Sequence, residues 1–381
     1  MIFNYKNMIR FINLGLIISN IIFFSGCKKS STDLNGNSAL VTKGSREIGM
    51  DILDTTPSST FSNNIALAKA AGASYMILGL GWNQIETSTP SDCTTAGTYV
   101  DPGNALTTFN SLLPASGLKL SLSILPISTN INLMPSNLAS SNFDDALVVC
   151  RYQKMLNFVF SKIPNVELVS IQFGNEIDAY PSANQSSFWS QYWSFFVQAQ
   201  AAAKTLRSGV KASVVSTLYG ATGLSTNPLA QGGLQQIYNN ADVVVVTYYP
   251  LNTNFTVKNP SVVDNEMTSI VSLYPSKPIY FNEIGYPSGL TYNGSSEALQ
   301  KQFVTQVFKT WDKFSTQISK ISFLRLNNVS HTSAQDTADD YGMSGNNEFI
   351  EFIETLGLRT YGGLDKPAFT QLKTETQIRG W

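Results

Sequence analysis

Two glutamates close apolar runs in this chain. Phe173-Gly174-Asn175-Glu176 ends one run, and Phe281-Asn282-Glu283-Ile284-Gly285-Tyr286-Pro287 ends another. A lone carboxylate at the end of a buried strand is costly to desolvate. A facing pair has a use. When two carboxyls lie ~5–5.5 Å apart across a sugar ring, one protonates the leaving oxygen and the other attacks the anomeric carbon. That chemistry is double displacement at a glycosidic bond, with acid/base and nucleophilic work shared between Glu176 and Glu283. It requires two strands whose ends face each other across a narrow mouth.

The rest of the chain supplies such strands. Short β-rich runs fall at residues 47–52, 74–80, 118–125, 166–173, 211–216, 242–248, 277–281 and 321–326. Helical patterns lie between most of them, at 61–71, 144–163, 188–206, 262–274 and 297–314. Several runs are apolar on consecutive residues, which marks strands buried on both faces. Eight such strands with intervening helices predict an α/β fold, a single closed (β/α)₈ barrel. The rival, an open doubly wound sheet, wants a Gly-rich turn after an early strand, and Gly79 and Gly81 lack that spacing. Strands four and seven, which carry Glu176 and Glu283, lie nearly opposite in an eight-stranded barrel. Long loops at 86–103 and 126–143 would line the C-terminal mouth, where barrel enzymes keep their sites.

Asn-Glu ending strand four and Glu ending strand seven resemble the signature of glycosidase clan A, the retaining (β/α)₈ enzymes. The resemblance implies that Glu176 is the acid/base, that Asn175 holds the substrate 2-hydroxyl, and that Glu283 is the nucleophile. Gly49-Met50-Asp51 resembles the first-strand end, and Trp82-Asn-Gln-Ile-Glu86 the Trp-containing second-strand end. Thr247-Tyr248-Tyr249-Pro250 resembles the sixth-strand end, where a Tyr contacts the nucleophile. Gly357-Leu358 and Lys366-Pro367-Ala368 resemble the tail that seals the last helix. Within the clan the motifs are most similar to the arabinogalactan endo-β-1,4-galactanases. The Glu283–Pro287 run is also similar to that of the endo-β-1,3-glucanases. The sequence departs from the galactanases at Leu78-Gly-Leu-Gly-Trp82, which lacks an Arg, and at Leu125-Pro-Ile-Ser-Thr129, which lacks a His-Tyr-Ser-Asp run. These departures bear on the substrate more than on the reaction. The expected activity is endo-acting hydrolysis of a β-linked galactan or glucan, with no metal or cofactor. A transglycosylase and a non-catalytic glycan-binding protein on the same scaffold are the alternatives.

Further contacts are expected around the pair. Trp82 and Tyr249 are candidate platforms for the C–H face of a sugar, although barrel packing would account for such rings equally well, and Tyr248 beside them is a candidate substrate-binding residue. Asp51, Asn327 and Asn328 stand at strand ends, and His331, the single histidine, falls near the same mouth. Trp189, Tyr192 and Trp193 either rim a leaving-group subsite or form the buried face of a helix, and the helix face is expected for at least two of them. Charged residues make up only 13% of the chain, the formal net charge is -1, and no basic stripe occurs. That composition argues against nucleic acid and suits an uncharged polar ligand. Cys93 and Cys150 either pair in an oxidising compartment or remain separate buried thiols.

The first residues read as an export signal. Lys6 and Arg10 precede an apolar run at 11–24, followed by Ser25-Gly26-Cys27 and a Ser/Thr/Asn/Gly-rich stretch to Lys43. The run is short for a spanning helix, which needs ~20 apolar residues. Small residues before Cys27 resemble the bacterial lipoprotein signal. The resemblance implies a signal peptide at 1–26, a lipid on Cys27 that anchors the chain to a membrane, and a polar tether at 27–43. The remainder, 44–381, is expected to be the barrel, acting as a monomer in the cell envelope.

Overall fold

The computed structural model describes residues 40–53, 56–57, 59–95 and 97–381. The expected signal, Cys27 and the tether up to residue 39 lie outside the described residues. In chain order the strands are β1 (Glu47–Met50), β2 (Ala73–Gly81), β3 (Lys119–Ser128), β4 (Ile131–Asn132), β5 (Leu168–Asn175), β6 (Ala212–Ser213), β7 (Val215–Thr217), β8 (Val244–Tyr248), β9 (Ile279–Ile284) and β10 (Ile318–Phe323). They hydrogen-bond in the order β6-β5-β3-β2-β1-β10-β9-β8-β7. First and last strands adjoin through β1 and β10, in parallel register from Glu47 with Lys320 to Met50 with Phe323. Only Val214 separates β6 from β7, so these two form one stave. Eight parallel staves thus make the expected (β/α)₈ barrel, with β4 folded back antiparallel on β3.

The five expected helices fall where the apolar periodicity places them. Thr60 caps the helix Phe61–Ala70 by accepting the Asn63 N–H. The helix Ala146–Lys162 lays Val148, Tyr152, Met155 and Val159 on the barrel. The helix Ser186–Leu206 buries Trp189 and Tyr192, leaving Trp193 partly exposed, so the aromatic cluster is a packing face. Cys93 and Cys150 form a disulfide, with Cα atoms 6.3 Å apart, that ties the loop after β2 to this outer layer.

The two ends of the barrel chain are joined at its base. The Lys43 N–H donates to the Arg379 carbonyl at 2.8 Å. Asp312, on the helix Glu297–Lys313, takes Arg46 on one side and Arg379 on the other at 2.8 and 2.7 Å, all three side chains buried. The closing helix, Pro367–Arg379, starts on Pro at its first turn and stops at left-handed Gly380. Before it, Lys366 donates to Ser288, Asn328 and the carbonyls of Thr355 and Gly357, which fixes the tail. Ala105–Ser116 and Ala230–Asn240, which precede β3 and β8, are helices that the sequence reading did not anticipate, and so are His331–Asp340 and Asn347–Thr355, which follow β10. The last two pack Phe349, Ile350, Phe352 and Ile353 over the mouth beside Leu324 and Tyr249.

Candidate functional site

Glu176 stands immediately after β5, on backbone that few side chains adopt. Gly174 has φ +95, and a Cβ there would lie 2.3 Å from the Tyr192 hydroxyl, so only glycine fits. Glu176 has φ +46, and Thr129, from the turn between β3 and β4, has φ +53. Positive φ is an outlier for a β-branched residue, and such strain persists only where the surroundings impose it. The two residues impose it on each other. The Thr129 N–H donates to the Asn175 carbonyl at 2.8 Å, and its hydroxyl donates to Glu176 Oε2 at 2.8 Å. Thr247, on β8, donates to Oε1 at 2.7 Å. Both carboxylate oxygens are therefore held.

Glu283 lies within β9, paired in register with Thr247. The Tyr249 hydroxyl donates to its Oε2 at 2.8 Å. Strand side chains alternate, so Thr247 and Tyr249 reach the two glutamates from one face of β8, while Tyr248 points the other way. The Tyr248 hydroxyl donates to Glu266 at 2.8 Å, and its ring packs on Phe281 and Phe303.

The carboxyls feel each other. Burial pushes the Glu176 pKa above the ordinary range, and the charge of Glu283 adds to it. The hydroxyls of Thr247 and Thr129 act in the opposite sense and are outweighed. Burial, then Glu283 and Glu176, hold the Tyr249 phenol far above its usual value, so it stays a donor. A narrow cavity of about 20 Å³ opens beside Glu283, lined by Asp51, Leu78, Ser123, Leu125, Asn175, Asn282 and Leu324 among others. Beneath it Ser121 donates to Asn282 at 2.9 Å, joining β3 to β9 through the barrel. Among the described residues no group of three or more His, Cys, Asp or Glu is placed to hold a metal ion. A protonated carboxyl beside an oriented carboxylate can deliver a proton and an attacking oxygen to one bond.

The candidates divide by placement. Glu176, Glu283, Asn175, Asp51 and Tyr249 converge on this mouth. Tyr248 does not, and Trp82 does not. The Trp82 ring is 0% exposed, edge-on to Tyr152, with its N–H on Glu86, which in turn pairs with Arg151. It presents no face to a sugar. Asn327 is buried between Asn64 and Arg359, and Asn328 holds Lys366. His331 is on the surface, hydrogen-bonded to Glu354 at 2.8 Å. Three contributors escaped the sequence reading. Thr129 grips Glu176 from a turn. Arg325 places its Nε 4.0 Å from Asp51. Asp178, two residues after Glu176, accepts the N–H and hydroxyl of Thr217 at 2.8 and 2.5 Å, and burial raises its pKa to about 7. Its acidic side chain beside the Asn-Glu pair was the one visible signal.

No protein-family model matches the chain, and no curated relative does. Solved structures do resemble it. GH5_18 from Bifidobacterium longum subsp. longum, in complex with Manβ1-4GlcNAc, aligns at TM-score 0.63 and 14% identity, over 88% of this chain and 79% of that one. An exo-β-1,4-mannosidase from an Opitutaceae bacterium aligns at TM-score 0.63 and 14% identity, over 92% of this chain but 63% of its own. A family 39 glycoside hydrolase from Bacteroides cellulosilyticus aligns at TM-score 0.56 and 13% identity, over 89% and 66%. The shared feature at this identity is the barrel fold, and a galactanase or glucanase likeness is not among these three.

Proposed function

We propose that the chain is a retaining β-glycosidase. Glu283 attacks the anomeric carbon, and Glu176, protonated at the start, gives its proton to the leaving sugar. When the glycosyl-enzyme forms, the charge of Glu283 is gone, and Glu176 becomes the base toward water. The observation that carries the reading is the separate fastening of the two carboxyls: Glu176 by Thr129 and Thr247, Glu283 by Tyr249. Asn175 lines the cavity where a 2-hydroxyl would sit, and Asp51 with it. The glycoside hydrolase neighbours support the same reaction class.

Two observations bear on the substrate. The segments that depart from the galactanase pattern supply Leu78, Gly79 and Leu125 to the cavity, so its walls there are apolar and uncharged. They suit a neutral hexose, and the neighbours make a β-mannoside the first to try beside β-galactan and β-glucan. The mouth is also bridged. Asn130, after β3, donates to the Tyr341 carbonyl, after the helix that follows β10, at 3.0 Å. The two loops it joins follow β3 and β10, which flank β2 and β1 in the strand order, and on that ground the link favours attack at a chain end over the endo action that the motifs implied. Export fits the same reading: the Cys93–Cys150 disulfide belongs to an oxidising compartment, and a lipid on Cys27 would hold the enzyme at the envelope.

Glu283→Gln should abolish release of reducing ends from β-1,4-mannan, β-1,4-galactan, β-1,3-glucan and xylan. Glu283→Ala with added azide should give a glycosyl azide of inverted configuration. Azide-free turnover by that variant, or binding without cleavage by the wild type across the panel, would overturn the reading. Release of monosaccharide from the first minute indicates chain-end action, whereas a ladder of oligosaccharides indicates endo action.

A further inference from the structure

A second pocket, larger than the cavity beside Glu283, adjoins the segments that set Glu176. This pocket of about 260 Å³ lies between the loop after β3 and the segment after β5, with Asn132, Ser140, Asn142, Tyr180, Ser182 and Gln191 in its wall. Its lining contains hydroxyls, amides and aromatic rings, and no charged side chain. Such a surface hydrogen-bonds neutral polyols and gives an ion no counter-charge. The wall is held in place from within: the Asn132 amide donates to the Tyr180 hydroxyl at 3.2 Å and to the Ala139 carbonyl at 2.9 Å, bridging the two segments. The Tyr180 ring packs on Phe143 and Phe188 while remaining partly exposed.

The pocket is built from the two segments that also set Glu176. Thr129, which grips Glu176, is three residues from Asn132. Glu176 itself is four residues from Tyr180, within about 14 Å of chain. An acid that protonates the leaving oxygen has the leaving sugar on its own side. We infer that this pocket is a second glycan-binding site, on the leaving-group side, which takes neutral sugar units beyond the scissile bond. The inference rests on the glycosidase reading for its orientation. Binding beyond the scissile bond adds to what the cavity beside Glu283 supplies, and remote binding energy can be used to raise turnover as well as to retain substrate.

Ser140 is exposed, so Ser140→Trp fills the pocket without disturbing the core. Two measurements test the site. The first compares kcat/KM on a β-linked trisaccharide and tetrasaccharide with that on the matching p-nitrophenyl glycoside, whose leaving group is a single aryl ring. Ser140→Trp should lower the oligosaccharide values about tenfold more than the aryl value, equivalent to ~1.4 kcal/mol. Equal effects on both substrates overturn the site. The second is calorimetry of mannotriose, galactotriose and laminaritriose with Glu283→Gln, with and without Ser140→Trp. Weakened binding of any one supports the pocket, and unchanged or undetectable binding of all three counts against it. If the wild type cleaves nothing, the glycosidase reading fails, and calorimetry still decides whether the pocket holds glycan.

Discussion

Glu176 is held by two hydroxyl donors, which favour its ionised form, yet its pKa is raised. Burial and the neighbouring Glu283 decide the sign, and the sign decides the role. A carboxyl with a raised pKa keeps its proton to higher pH and can act as the acid. Activity is then lost as pH climbs through the Glu176 value, which forms the basic limb of the profile. Replacing Glu283 by Gln removes one of the two causes, so Glu176 should titrate at lower pH in that variant. Carbon-13 titration of labelled glutamates in both proteins measures the shift. An unmoved Glu176 resonance would mean that the carboxyls do not sense each other. At this scale the sequence was informative where chemistry coincided with a strand end. Both glutamates, Asn175 and Tyr249 belong to motifs whose position in the barrel could be counted. Tyr248 and Tyr249 are neighbours in sequence, and only the alternation of β8 tells which ring faces Glu283. Thr129 could not be found, because a turn that bends a side chain back onto another strand leaves no periodic trace.

The strands were legible for a simple reason. Parallel staves covered by helices are apolar on both faces, so runs such as Val244–Tyr248 stand out from their surroundings. The helix His331–Asp340 shows the converse. Its sequence is HTSAQDTADD, with only Ala334 and Ala338 buried, so it carries no apolar stripe wide enough to read. The partner helix Asn347–Thr355 buries Phe349, Ile350, Phe352 and Ile353, but it lies beyond the last expected strand. Long-range ion pairs were equally invisible. Asp312 accepts three hydrogen bonds from Arg379 and one from Arg46 across the barrel base, and the Arg46 guanidinium also lies over Trp311 and Trp381. Removing one member of such a buried cluster leaves uncompensated charge, which costs about 3–5 kcal/mol. Asp312→Ala should therefore lose stability on that order in urea unfolding. A loss under ~1 kcal/mol, the range of exposed pairs, would show that water reaches the cluster.

Across the whole molecule, the mouth is walled by segments that the barrel itself does not stabilise. The long loop after β2 is fastened by the Glu86–Arg151 pair, at 3.0 Å and buried, and by Cys93–Cys150. Both ties end on the helix Ala146–Lys162, whose preceding loop also lines the polar pocket and carries Asn130 toward Tyr341. One helix thereby anchors two walls of the site. The disulfide spans 57 residues, and closing a loop of that length removes unfolded-state entropy worth about 4 kcal/mol in the chain-entropy account. A Cys93→Ser/Cys150→Ser double variant should melt at lower temperature than the wild type. A reductant should lower the wild-type melting temperature toward that of the variant and leave the variant unchanged. Neither residue contacts the carboxyl pair, so hydrolysis of a small aryl glycoside at low temperature should fall much less than stability does. Equal melting of oxidised and reduced wild type would show that the bond restrains nothing in the unfolded chain, and the Glu86–Arg151 pair would then be the tie that holds this wall.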